Sequence, residues 1–169
     1  VLHPAEGIQG MNRAGDLLFA WSNHCKERLF CPQAALRGYA ESARISAGLG
    51  DEGRLASVAL NRGMVFQSLS RFEEALDSYT QAELVFRKLE DEGSLARIDV
   101  SRGVVFQSLS RFEEALQAYA QAEAVFRKLG NEGSLAGIAL NRGTVFLSLS
   151  RFEEALEAFA GSAVVISHD

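Results

Sequence analysis

The chain has 169 residues, of which 47% are hydrophobic and 23% charged, with two prolines and a formal net charge of −5. That balance excludes intrinsic disorder, and the acidic surplus argues against nucleic acid as a general partner, because phosphate binding needs a basic surface. No run of about 18 apolar residues occurs, so no transmembrane helix and no membrane partner are expected, while the cysteine usage points to a reducing, cytoplasmic setting. Cys25 and Cys31, six apart on one expected helix and so on different faces, form no CxxC and fit a reducing compartment. The chain opens on Val1 rather than Met, which reads as a piece of a longer or processed protein.

In chain order, residues 1–11 read as a loose leader. A degenerate unit follows over 12–51, with helices expected at 12–29 and 33–48. Three clearer units cover 52–90, 91–130 and 131–169. Their helices are expected at 52–69 and 71–89, then 92–109 and 111–129, then 132–149 and 151–166. The units are set by repetition. "NRGMVFQSLSRFEEAL" at Asn61 returns as "SRGVVFQSLSRFEEAL" at Ser101 and "NRGTVFLSLSRFEEAL" at Asn141, a 40-residue period. "AALRGYAES" at Ala34 parallels "EALDSYTQA" and "EALQAYAQA", which carries the period back into the degenerate unit.

Within the first clear unit, Phe72, Ala75, Leu76, Tyr79, Ala82, Phe86 and Leu89 fall three, four and seven apart, one face of a helix. Ser70 with Glu73, Ser110 with Glu113 and Ser150 with Glu153 read as capping boxes that start the second helices. Gly50 and Gly130 suit a left-handed helix stop, and Asp51, Asp91 and Asn131 suit the following N-caps. A helix pair of this size cannot bury its apolar face alone, whereas stacked neighbours can. The expected fold is therefore all-α, a solenoid of antiparallel helix pairs with about eight helices.

These residues resemble the tetratricopeptide repeat, TPR. The small first-helix residue is Gly63, Gly103 or Gly143, and the late aromatic is Phe66, Phe106 or Phe146. The second-helix run is Ala75/Tyr79/Ala82, Ala115/Tyr119/Ala122 and Ala155/Phe159/Ser162. The degenerate unit keeps Ala35, Tyr39 and Ser42 but has Asn23 and Lys26 at the small and aromatic places. The 40-residue period is similar to a longer subclass found in kinesin light chains, Pins-like scaffolds and bacterial signalling proteins, including those joined to CHAT protease domains. The resemblance spans roughly residues 16–166. It implies a right-handed superhelix whose first helices line a concave groove for a peptide or partner protein.

On that geometry the groove carries Ser57, Leu60, Asn61, Met64 and Gln67, then Arg97, Val100, Ser101, Val104 and Gln107, then Gly137, Leu140, Asn141, Thr144 and Leu147. The competing use of these positions is packing against the neighbouring unit. Amides can bond an extended partner backbone, and the apolar residues offer shallow contacts. Because the places where Hsp90-type TPR grooves clamp a carboxylate are mostly apolar, no such clamp is expected. The chain also departs from the family's leucine before the small residue, with Arg62, Arg102 and Arg142. Those arginines serve either as structural ion pairs or as a ladder for an anionic segment. Among carboxylates only the "RFEE" pairs and Glu52, Glu92 and Glu132 recur beside every one, which points to them as partners.

No catalytic set emerges. Adjacent helix residues such as Glu73 and Glu74 point about 100 degrees apart and do not face one another. His24, Cys25 and Cys31 lack a fourth ligand and a metal spacing, and His3 and His168 sit near the ends. No GxGxxG, GxxxxGK[ST] or GxSxG is present, so no enzyme, cofactor or metal is expected. The leading expectation is a non-enzymatic protein-interaction scaffold. The alternatives are a regulatory or sensor arm of a larger signalling enzyme, such as a protease or ATPase, and a self-assembling repeat array. Val164, Val165 and Ile166 with no polar cap after them suggest either that more repeats follow or that this end packs on another chain, as in a homo-oligomer.

Overall fold

The computed structural model describes residues 4–27 and 31–166, with side chains described over 9–26 and 31–161. Among them are eight helices and no strand. They are α1 (Pro4–Glu27), α2 (Pro32–Leu49), α3 (Glu52–Ser68), α4 (Phe72–Lys88), α5 (Glu92–Ser108), α6 (Phe112–Lys128), α7 (Glu132–Ser148) and α8 (Phe152–Ile166). The chain divides into two compact units, Val1–Leu89 and Glu90–Asp169, each holding four helices packed as consecutive pairs. Residues 4–11, expected as a loose leader, belong to α1. Cys25 and Cys31 do not share a helix. Cys31 caps α2, whose first residue is Pro32, and a proline suits that position because its missing amide hydrogen would have no helical partner there.

The first unit is centred on Cys25, Ala35, Tyr39, Val58 and Val65, with Phe19, Leu36 and Leu69 packed around them. The second is centred on Ala96, Ala115, Tyr119, Ala122, Phe126, Ile138 and Val145. In the 40-residue units the first helix meets the second at one small residue. A Cβ on Gly63 or Gly103 would meet the Tyr79 or Tyr119 ring at 2.4 Å, and one on Gly143 would meet Phe159 at 2.3 Å. Each tyrosine ring closes against its glycine, and its hydroxyl reaches an amide one helical turn further on. Tyr79 donates to Gln67 Oε1 at 2.7 Å, and Tyr119 donates to Gln107 Oε1 at 3.1 Å. Both rings are fully buried, and burial pushes the Tyr119 phenol pKa up.

The junctions between helices correct one sequence expectation. Ser70, Ser110 and Ser150 do not cap the second helices. They have φ of 58, 58 and 57°, in the left-handed region. Ser70 N donates to Gln67 O at 2.9 Å and Arg71 N donates to Phe66 O at 2.9 Å, the paired bonds that close a helix C-terminus. Serines 110 and 150 repeat the arrangement. The serine therefore ends the first helix, and the N-caps of α4 and α6 are Arg71 and Arg111, with no side-chain cap bond. The sequence pattern misleads because S-x-x-E fits both readings, and only the backbone angle separates them.

The other junctions follow expectation. Gly50 and Gly130 take φ of 69 and 64°. Asp51, Asp91 and Asn131 accept from the backbone amides of Arg54, Ser94 and Ser134 at 2.9, 2.9 and 3.0 Å. Lys88 closes its pair on Glu52 at 2.7 Å, and Lys128 does the same on Glu92 at 2.8 Å.

Candidate interaction surface

Position along the first helices decides what remains available to a partner. In α3, Leu60 and Asn61 are 1% and 7% exposed, so these two expected groove residues are spent on packing. Asn61 Oδ1 accepts from Lys26 Nζ of α1 at 3.4 Å. Met64 and Gln67 are half-buried, and Gln67 is engaged by Tyr79.

The second unit keeps the same face more open. On α5, Arg97 is exposed, Ser101 is half-buried with its hydroxyl on Arg97 O at 2.9 Å, and Val100 and Val104 pack partly into the core. On α7, Leu140 and Leu147 are 47% and 45% exposed, Thr144 is exposed, and Asn141 is half-buried. Gln107 Nε2 donates to Thr144 Oγ1 at 2.8 Å, which ties the two first helices together across this face. The alternating positions Ile98, Gly103, Val105, Ile138, Gly143 and Val145 are buried. The α5 and α7 residues thus form a shallow strip of mixed leucine, hydroxyl and amide character on a fixed floor.

The three arginines lie elsewhere. Arg142 lines a cleft of about 280 Å³ with Glu123 of α6, Ala139 and Phe146 of α7, and Glu154, Glu157, Ala158 and Gly161 of α8. Arg102 lines the cleft one period earlier, about 350 Å³, with Asp99, Phe106, Glu114, Gln117, Ala118 and Gln121. None of the strip residues lines either cleft.

For Arg142 the partner is not one of the recurring carboxylates. Arg142 pairs with Glu123, nineteen residues back, where Arg62 has Ala43. Arg62 instead rests over the Phe66 ring, 5.7 Å from its centroid, as Arg142 rests over Phe146 at 5.8 Å. The second carboxylate of each "RFEE" is held by a loop arginine. Arg71, Arg111 and Arg151 bind Glu74, Glu114 and Glu154 and stack on Phe66, Phe106 and Phe146 at 4.6, 4.6 and 4.9 Å. Hydrogen bonds from Arg71 and Arg111 hold the Glu74 and Glu114 carboxyls below their ordinary range. For Glu154 a backbone hydrogen bond leads and Arg151 adds to it. Arg62 and Arg142 thus share an aromatic face as partner, and Arg142 adds the Glu123 carboxylate.

Sequence reasoning missed Leu17 and Trp21 of α1, which are 65% and 48% exposed. Subtracting one period from Ser57 and Asn61 finds them, but the degenerate spelling of the first unit hides the register. His24 is exposed and Cys25 buried, and no group of three or more metal-binding side chains forms among the described residues. His3 and His168 lie outside the described residues, as do the side chains of Ser162, Val164, Val165 and Ile166. No described helix is long and apolar enough to cross a membrane.

Residues 94–160 match the family model described as tetratricopeptide repeat. No curated protein matches the chain in sequence. Among solved structures, the chain is similar to BtubC (BKLC) from P. vanneervenii, at 22% identity and a TM-score of 0.79 over 91% of this chain and 63% of that one. It is also similar to aspartyl phosphate phosphatase F from Bacillus subtilis, at 16% identity and a TM-score of 0.85 over 94% of this chain and 41% of that one. A third likeness is to MamA, at 13% identity and a TM-score of 0.66 over 95% of this chain and 87% of that one. The chain spans less than two-thirds of the first two structures, and at these identities the likeness is one of fold.

Proposed function

We propose that this chain, a TPR-like helical-repeat protein, is a non-enzymatic interaction scaffold that takes a peptide or partner protein on the first-helix face of its second unit. The observation that carries the reading is the strip on α5 and α7. Leu140, Thr144 and Leu147 stay exposed beside Arg97, while the alternating positions of the same helices are locked in the core. A rigid floor with exposed leucines and hydroxyls suits a partner that brings apolar side chains and backbone polar groups. The Gln107–Thr144 bond holds the strip's two edges in register, so the surface needs little ordering when a partner arrives. The proposed setting is cytoplasmic, with Cys25 and Cys31 outside any disulfide.

The test is a peptide selected from a random library on the wild-type chain and then measured against variants. Leu140→Glu and Leu147→Glu should each weaken it at least tenfold, and Gln107→Glu should weaken it less, because the tyrosine bond survives and only the donor to Thr144 is lost. Unchanged affinity in both leucine variants would remove the strip as the binding surface.

A further inference from the structure

One position on the face of the first helices is held by Leu17 on α1, Ser57 on α3, Arg97 on α5 and Gly137 on α7. A glycine inside a helix weakens it relative to alanine. At Gly63, Gly103 and Gly143 that weakness has a reason, because a Cβ would meet an aromatic ring at 2.3 or 2.4 Å. Gly137 has no such reason. A Cβ there would meet nothing within 4 Å, and its φ is not positive. The position is open inside the array as well, since Arg97 is exposed although α7 and α8 follow it. What a missing side chain does provide is room for another backbone to come close to α7.

Asn141 stands one turn after Gly137, on the same face. Its counterparts are already engaged. Asn61 Oδ1 accepts from Lys26 Nζ at 3.4 Å, and the Ser101 hydroxyl donates to Arg97 O at 2.9 Å. For Asn141 the matching place on the preceding first helix is Phe106, which has nothing to donate. Among the described residues no group bonds the half-buried Asn141 carboxamide. A carboxamide both donates and accepts, which is the complement of a peptide group in an extended chain.

We infer that the partner crosses α7 as an extended segment, its main chain lying against Gly137 and one of its peptide groups exchanging hydrogen bonds with the Asn141 carboxamide. The inference rests on the scaffold reading of the α5–α7 strip and narrows its partner to a segment bound through its main chain. A helical partner does not meet these two features, because its peptide groups are paired within the helix and its side chains hold its backbone away.

The probe is a peptide selected from a random library on the wild-type chain, and each of its amides is N-methylated in turn. Gly137→Ala should raise the thermal midpoint of the free chain by about 2–4 °C, because alanine favours the helix and its methyl meets nothing. The same substitution should weaken the peptide at least tenfold. Methylation at one position should also weaken binding at least tenfold on the wild type, yet cost little further on Asn141→Ala. Unchanged affinity for Gly137→Ala, or a peptide whose amides all tolerate methylation, overturns the inference. A lower midpoint for Gly137→Ala overturns it too, because the position is then packed rather than open. In each case the scaffold reading stands if Leu140→Glu and Leu147→Glu still weaken the same peptide, and falls with the inference if they do not.

Discussion

The α1–α2 pair and the α7–α8 pair solve the same packing problem in opposite ways. In α7–α8 the first helix supplies the small residue, Gly143, and the Phe159 ring lies directly on it. In α1–α2 the matching residue is Asn23, and Tyr39 donates its hydroxyl to the Asn23 side chain. The close approach moves one residue back, to Ser22, and the small partner moves to the second helix. A Cβ on Gly38 would meet Ser22 Oγ at 2.0 Å. Ser22 stands one period before Arg62, so a fully buried hydroxyl bonded to Leu18 O replaces a half-buried guanidinium. A helix crossing thus needs one position without bulk, and either helix can supply it.

The largest effect should come from filling the glycine seam. Gly103→Ala should lower unfolding stability by about 1–3 kcal/mol in denaturant titration, because the added methyl overpacks a fully buried ring. Pairing it with Tyr119→Leu should recover part of that loss. If Gly103→Ala stabilises the chain through helix propensity alone, the seam is looser than described. Asn23→Gly tests the other side of the comparison. It makes α1 look like the later copies, yet removes an acceptor of the Tyr39 hydroxyl, and should cost about 1 kcal/mol. A gain would mean that the glycine solution suits both pairs.

Smaller shifts probe the junctions. Ser110→Gly should raise stability by about 0.5–1 kcal/mol, because the residue sits at positive φ, where glycine carries little steric penalty. A capping serine would give the opposite sign. Arg142→Leu should change stability by less than about 1 kcal/mol. Its ion pair with Glu123 is partly exposed, at 33% and 22% for the two side chains, and leucine can still cover Phe146. A loss of several kcal/mol would show that the pair is buried in a way the exposures do not convey.

Most of the fold was legible because its signals are periodic. The 40-residue repeat, the apolar spacing around Tyr79 and the glycines at 63, 103 and 143 act through local geometry that repeats with the chain. The loop serines were misread because their role lies in a backbone angle, which the S-x-x-E spelling does not encode. The Arg142 partner is not legible from recurrence, because Glu123 has no counterpart nineteen residues before Arg62, which rests on Phe66 instead. The exposure of the expected groove positions was not legible. Leu60 and Leu140 occupy the same repeat position, and one is buried while the other is half-open to solvent. Neighbouring helices set that difference, and a sequence position alone does not carry it.

The central claim is that the second unit's first-helix strip is where a partner sits. Amide chemical-shift mapping of the chain with a saturating selected peptide tests it directly. The account predicts that the perturbed residues cluster around Arg97, Ser101, Leu140, Thr144 and Leu147, with the Arg102 and Arg142 clefts little changed. Perturbations centred on those arginine clefts, or spread over α6 and α8 with α5 and α7 silent, would contradict it.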